Sequence, residues 1–215
     1  MIPDADPSAD QAPALAEQAP LTERGARTRA RILAAAREVF EERGYPETRV
    51  AHITRHARVA YGSFYTYFPS KEAVFLEVAD LLFQTMIQLD LVPSDGYEPA
   101  TLIRRANRAY YASYRRNAKM MAIIEQVATF NVAFQEMRRK HRAGAVARSA
   151  KAIERWQRAG LVDTALDAEM AARALAAMVD HSLYLWFVQG DDVPDTERLL
   201  DTLDTLTLRA LGLRP

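Results

Sequence analysis

Apolar side chains recur at steps of three and four along nearly the whole chain beyond residue 21, which predicts an all-α protein of about nine helices. In the first helix, over 22–43, Ile32, Leu33, Ala36, Val39 and Phe40 form one stripe, with Arg27, Arg31, Glu38 and Glu41 opposite. Thr22 suits its N-cap and Gly44 its end, and Pro46 prevents continuation. A second helix over 49–57, capped by Thr48, turns Val50, Ile53, Thr54 and Ala57 inward and Arg49, His52, Arg55 and His56 outward. After a bend at 58–60, with Val59 as its apolar plug, a third helix over 61–68 buries Phe64 and Phe68. Pro69 ends it and Ser70 caps the next.

On a helical wheel the side opposite those phenylalanines holds Gly62, Ser63 and Thr66, flanked by Tyr61 and Tyr65 on one edge and Tyr67 on the other. The face has no charge and no aliphatic residue. Glycine permits close backbone approach, and the hydroxyls and phenols suit phosphates and base edges. It reads as a DNA-contacting surface. Lys71, in the first turn of the fourth helix, opposes the helix dipole unless a phosphate lies near.

The fourth helix, over 71–91, spaces Val74, Phe75, Val78, Leu81, Leu82, Thr85, Met86 and Leu89 at helical steps, and a turn follows at 93–96. A fifth over 98–116 places Leu102, Ala106, Ala109, Tyr110 and Ser113 on one side. A short sixth covers 118–128, and a seventh over 131–159 is studded with bases from Arg138 to Arg148. The eighth, over 167–189, is apolar almost all round from Ala171 to Val188, broken by Arg173, Asp180 and His181, and must be buried on most sides. In the ninth, over 196–213, Leu199, Leu203, Leu206, Ala210 and Leu213 form a packing seam.

Charge changes the picture locally. The 215 residues balance to a formal charge of zero, but residues 1–21 carry four acids and no base, and 22–71 carry ten Lys/Arg against five Asp/Glu. The first segment reads as a disordered acidic tail, the second as an electrostatic footprint for phosphate. The absence of cysteine excludes disulfides, thiolate metal sites and cysteine nucleophiles. His52 and His56 share a helical face, but no third ligand stands near them, so they read as solvated. No signal peptide and no membrane span is evident, and a cytoplasmic protein is expected.

Residues 24–71 resemble the DNA-binding domain of the TetR (tetracycline repressor) family of bacterial transcription regulators. The resemblance rests on Phe40 and Gly44 at the end of the first helix, on Thr48, Val50 and Ile53, and on Gly62, Tyr65, Tyr67, Phe68 and Lys71. It implies a helix-turn-helix domain over 22–70 and a helical effector-binding and dimerisation domain over 71–215. It also implies that Thr48, Tyr67 and Lys71 clamp phosphates and that Tyr61, Gly62 and Ser63 enter the major groove. With Arg49, Tyr65 and Thr66 these make the expected DNA-binding set. The chain departs from the family pattern at Arg58, where a glycine is usual, at Ala60, where Ser or Thr caps, and at Thr54, where a small alanine is usual.

The resemblance further implies a homodimer paired through about 167–213, which would set two readers about 34 Å apart on a palindrome. A small apolar effector is expected among Tyr110, Tyr114, Met121, Phe130, Phe134, Trp156, Met178, His181 and Tyr184, residues that would equally fill a solid core. Asp180 and His181, ionisable within an apolar helix, would hold a polar ligand end or bond across a dimer. No catalytic residue, metal site or cofactor is expected. The alternative is a small all-helical enzyme or an apolar-ligand-binding protein without a DNA function.

Overall fold

The computed structural model describes residues 22–87, 98–190 and 195–214. The acidic tail, the end of the fourth helix with Leu89 and the turn at 93–96 lie outside the described residues. Those described are helical throughout: α1 (Glu23–Glu47), α2 (Val50–Ala57), α3 (Tyr61–Tyr65), α4 (Lys71–Ile87), α5 (Pro99–Arg116), α6 (Ala118–Ala128), α7 (Val132–Arg158), α8 (Ala168–Tyr184) and α9 (Thr196–Ala210). A π-turn over Leu185–Gln189 extends α8 to Gly190, whose φ of 82° ends it. Among the described residues no helix is long and apolar enough to cross a membrane.

Local chemistry sets the ends. The Thr22 hydroxyl accepts from the Gly25 N–H, Asn131 from Phe134, Asp167 from Met170, and Ser70 from Ala73, so α1, α7, α8 and α4 each begin on a capped donor. Gly44, at φ 75°, breaks α1 one turn before its end, next to Pro46. Thr48 is not the cap of α2, a position taken by Arg49. The broken end of α1 folds over Thr48 instead, leaving it 1% exposed, and its hydroxyl donates to the Gly44 carbonyl at 2.6 Å.

Arg58 is the only non-glycine with positive φ among the described residues, at 52°. The left-handed conformation costs a side-chain-bearing residue roughly 1–2 kcal/mol. The bend persists because other bonds hold it: the Val59 N–H donates to the Thr54 carbonyl at 3.0 Å. Arg31, reaching from α1, donates to the Ala57 and Arg58 carbonyls. Thus α1 itself closes the C-terminus of α2.

Two hydrophobic clusters follow. The first runs from Ile32, Phe40, Ile53, Phe64 and Phe68 through α4 and α6 to Leu183 and Leu203, so it crosses the junction at residue 70. The second lies at the far end, around Leu102, Ile153, Trp156, Ala172 and Leu208. Polar ties bind α4 to its neighbours: Arg29 of α1 forks onto Glu77, and His141 of α7 meets Asp80 at 2.5 Å. Between α5 and α9, the 2%-exposed Asp204 accepts from Asn107 and Arg108, each at 2.7 Å.

Several expected faces turn differently. Leu81 and Thr85 of α4 and Ala109 of α5 face outward, while Ala79, Phe83 and Tyr111 are buried. Leu203 packs inside against α5, whereas Leu206 and Ala210 are exposed, so the ninth helix carries no continuous seam. Helix α8 is not buried on most sides of this chain. Met170, Ala174, Ala177 and His181, at steps of four and three, form an exposed stripe.

Candidate nucleic-acid interface and ligand cavity

Helix α3 owes its orientation to two phenylalanines. Phe64 and Phe68 are buried with rings 5.8 Å apart, and Arg29 of α1 lies 4.8 Å over Phe68. Phe68 lies beyond α3 itself, which ends at Tyr65 and continues as a turn. The outer side presents Tyr61, Gly62, Tyr65 and Thr66 to solvent, with Ser63 half-buried. The Tyr61 and Tyr65 hydroxyls meet at 3.0 Å across an edge-on ring pair, a bond that raises the Tyr65 pKa. A Cβ added at Gly62 would meet nothing within 4 Å. The fold therefore has room for a side chain there, although glycine is among the poorest helix formers.

The neighbouring side chains are more engaged than expected. Tyr67 is half-buried and packs on the first cluster rather than pointing freely away from it. Lys71 Nζ donates to the Tyr45 carbonyl at 2.8 Å and stands 4.3 Å over that ring, and burial lowers its pKa. One of its three donors thus ties α4 to the broken end of α1. Arg49 and Arg55 at α2 and Arg58 in the bend before α3 are exposed. His52 accepts the Arg49 N–H at 3.3 Å and His56 pairs with Glu38 at 2.5 Å. Among the described residues no cluster of metal-ligating side chains occurs.

The second feature is a cavity of about 440 Å³ between α4, α5, α7 and α8, with α9 closing one end. Of the nine residues expected to line it, Tyr110, Met121 and Trp156 do. Tyr114 and Phe134 are fully buried in the first cluster, the latter against Phe75, and Met178 packs on that cluster. Phe130 is 61% exposed near Tyr45. His181 and Tyr184 stack on each other away from the cavity, His181 on the exposed side of α8. Each missed because a helix of this length offers several faces, and the partner helix decides which one looks inward.

Asp180 does line the cavity, and its need for a partner is met inside the chain. It accepts from the Tyr110 hydroxyl at 2.6 Å and lies 3.9 Å from Arg142. Burial, followed by the Asp180 charge, raises the Tyr110 pKa well above its ordinary value, so the phenol keeps its proton and donates. Sequence reasoning missed the basic wall formed by Arg138, His141, Arg142 and Arg148 of α7. The run of bases was a visible signal, but its facing was not.

The family model of the bacterial regulatory proteins of the tetR family matches residues 32–78. The transcriptional regulator TtgR of Pseudomonas putida is 29% identical over 197 residues, covering 84% of this chain and 92% of that one. The regulator EthR of Mycobacterium tuberculosis is 27% identical over 180 residues, 80% of this chain and 81% of its own. Among solved structures, Salmonella enterica GusR superposes with a TM-score of 0.74 at 24% identity, covering 89% of this chain and 98% of that one.

Proposed function

Because this chain belongs to the TetR family of DNA-binding transcription regulators, we propose that it is a homodimeric repressor that holds a palindromic operator and is released by a small, largely apolar effector. The observation that carries the reading is the outer face of α3, where Tyr61, Gly62, Tyr65 and Thr66 form an exposed, uncharged surface, with Arg49 and Arg55 of the preceding helix region and Arg58 of the bend also exposed. In this reading Tyr61, Gly62, Ser63, Tyr65 and Thr66 meet the groove. Arg49 and the remaining Lys71 donors meet phosphates, with Tyr67 at the edge. Thr48, buried by its bond to Gly44, holds the corner and touches no phosphate through its side chain. The division into a reader over 22–70 and a sensor over 71–215 belongs to the same proposal. The enzyme or simple binding-protein alternative is not favoured, since the relatives are transcription regulators.

Pairing through α8 and α9 is supported by the exposed stripe Met170, Ala174, Ala177 and His181 and by Leu206, 48% exposed on α9. Met170, Ala174 and Ala177 of that stripe are apolar, and exposed apolar side chains in a row are what a second copy would cover. The effector would occupy the cavity, whose walls include Phe83 and Met86 of α4. Helix α4 is also tied to α1 through Arg29 and Glu77. A ligand that favours one position of α4 would shift the population of reader poses. The test is fluorescence anisotropy of full-length protein on duplexes selected from random DNA. A specific site with two-fold symmetry and a steep fall of affinity with salt, about −0.9 per neutralised phosphate on the log–log scale, is expected. No retardation of any duplex at low salt would overturn the reading.

A further inference from the structure

We propose that the effector is an amphiphilic anion, with an apolar body and one compact acid group such as a carboxylate or a phosphate. This rests on the reading of the cavity as the effector site and narrows the ligand from apolar to amphiphilic. The floor of the cavity is uncharged: Met86, Ile103, Met121, Ile153 and Trp156 line it and each is at least nine-tenths buried. The mouth is cationic. Arg142, Arg148 and Arg173 line it and are exposed, and Arg138 and His141 stand further in on α7. Against these four arginines and one histidine the lining holds, among the described residues, a single carboxylate, Asp180.

The pairs made by Arg138, His141 and Arg173 leave the imbalance in place. Arg138 bonds Glu125, His141 bonds Asp80 and Arg173 bonds Glu169, yet none of those acids lines the cavity. Among Arg138, His141, Arg142 and Arg173, Arg142 has the longest ion pair. Its nearest acid oxygen in an ion pair is Asp180 Oδ2, 3.9 Å away, and the other Asp180 oxygen is occupied by Tyr110. A guanidinium presents a planar fork that fits an oxyanion with two parallel bonds. An acid group at the mouth would take Arg142 without breaking a close pair, while its apolar body displaced nothing polar from the floor. A cationic head would meet several guanidiniums and one carboxylate that already has two partners.

The test is calorimetric titration of the full chain with three probes that share one chain and differ in the head: dodecanoate, dodecanol and dodecylammonium. Dodecyl phosphate, as a fourth, separates carboxylate from phosphate recognition. Charge-assisted bonds at a half-exposed arginine predict that dodecanoate binds about tenfold more tightly than dodecanol, with dodecylammonium weakest. Either order of dodecanoate and dodecyl phosphate supports an anionic head and names its chemistry. In the double variant Arg142→Gln, Arg148→Gln the preference should fall to about threefold or less, with dodecanol binding unchanged as the control for folding. Dodecanol binding as tightly as dodecanoate, or a preference that survives the double variant, would overturn the anionic head while leaving the cavity as the effector site. Failure of all four probes to bind would overturn the cavity reading itself and this proposal with it.

Discussion

The two ends of α4 serve differently built regions. Around α1, α2 and α3 the interior is filled: Ile32, Phe40, Ile53, Phe64 and Phe68 are each 2% exposed or less. Even the broken helix end is stapled, by Thr48 to Gly44 and by Lys71 to Tyr45. Around α5, α7 and α8 the chain leaves two clusters with an open cavity between them, bordered by ion pairs rather than by packed rings alone. A region that presents side chains to a fixed lattice of phosphates benefits from one conformation. A region that responds to a ligand needs room for two. Close packing gives the first property and a cavity permits the second.

The sharpest way to break this comparison is to delete one large ring from each region. Phe64→Ala should cost about 3–5 kcal/mol, the usual range for a buried ring. Trp156→Ala should cost about 2 kcal/mol less, because one side of the indole already lacks partner atoms. Urea unfolding of both variants measures this, and equal losses would mean that the cavity wall is as tightly packed as the reader. Next in size, Asp204→Ala should cost about 2–3 kcal/mol in the same assay, since it leaves the Asn107 amide and Arg108 Nη1 without their acceptor beside a buried position, although Arg108 keeps Asp201 through Nη2. The effect belongs to the α5–α9 contact, so affinity for a selected operator, measured per folded molecule, should change less than threefold.

The unequal construction also explains what could be read from residue order. Around α1, α2 and α3 the signals that mark the elements are local. Phe64 and Phe68 are four apart, Gly44 and Pro46 mark one corner, and Arg58 marks the next, so a helical wheel and a turn rule suffice. Thr48 escaped that logic because its burial depends on how the chain after Gly44 folds back over it. Around α4, α5, α7 and α8 the decisive contacts join residues far apart in sequence, such as Tyr110 with Asp180 and His141 with Asp80. Helical spacing located these helices but left their rotation open. Helical spacing alone therefore points Phe130, Phe134, Tyr184 and His181 at a cavity they do not line, and leaves the facing of Arg142 and Arg148, which do line it, undetermined.

A smaller effect sharpens the account of the reader's bend. Arg58→Gly relieves the left-handed strain at φ 52° but adds unfolded-chain entropy. The net should be a gain of roughly 0.5 kcal/mol. A loss would mean that the Arg58 side chain holds the bend through contacts of its own.

The most direct test of the central claim, that the outer face of α3 lies against DNA, is Gly62→Ala measured twice on the same protein. The added methyl has open space around it and alanine is the better helix former. The fold should gain about 0.5–1 kcal/mol in urea unfolding, while affinity for the selected operator should fall about tenfold or more, because the methyl occupies the gap through which the backbone approaches the duplex. Operator affinity unchanged in the stabilised variant would contradict the account, since it would place that face of α3 away from the DNA.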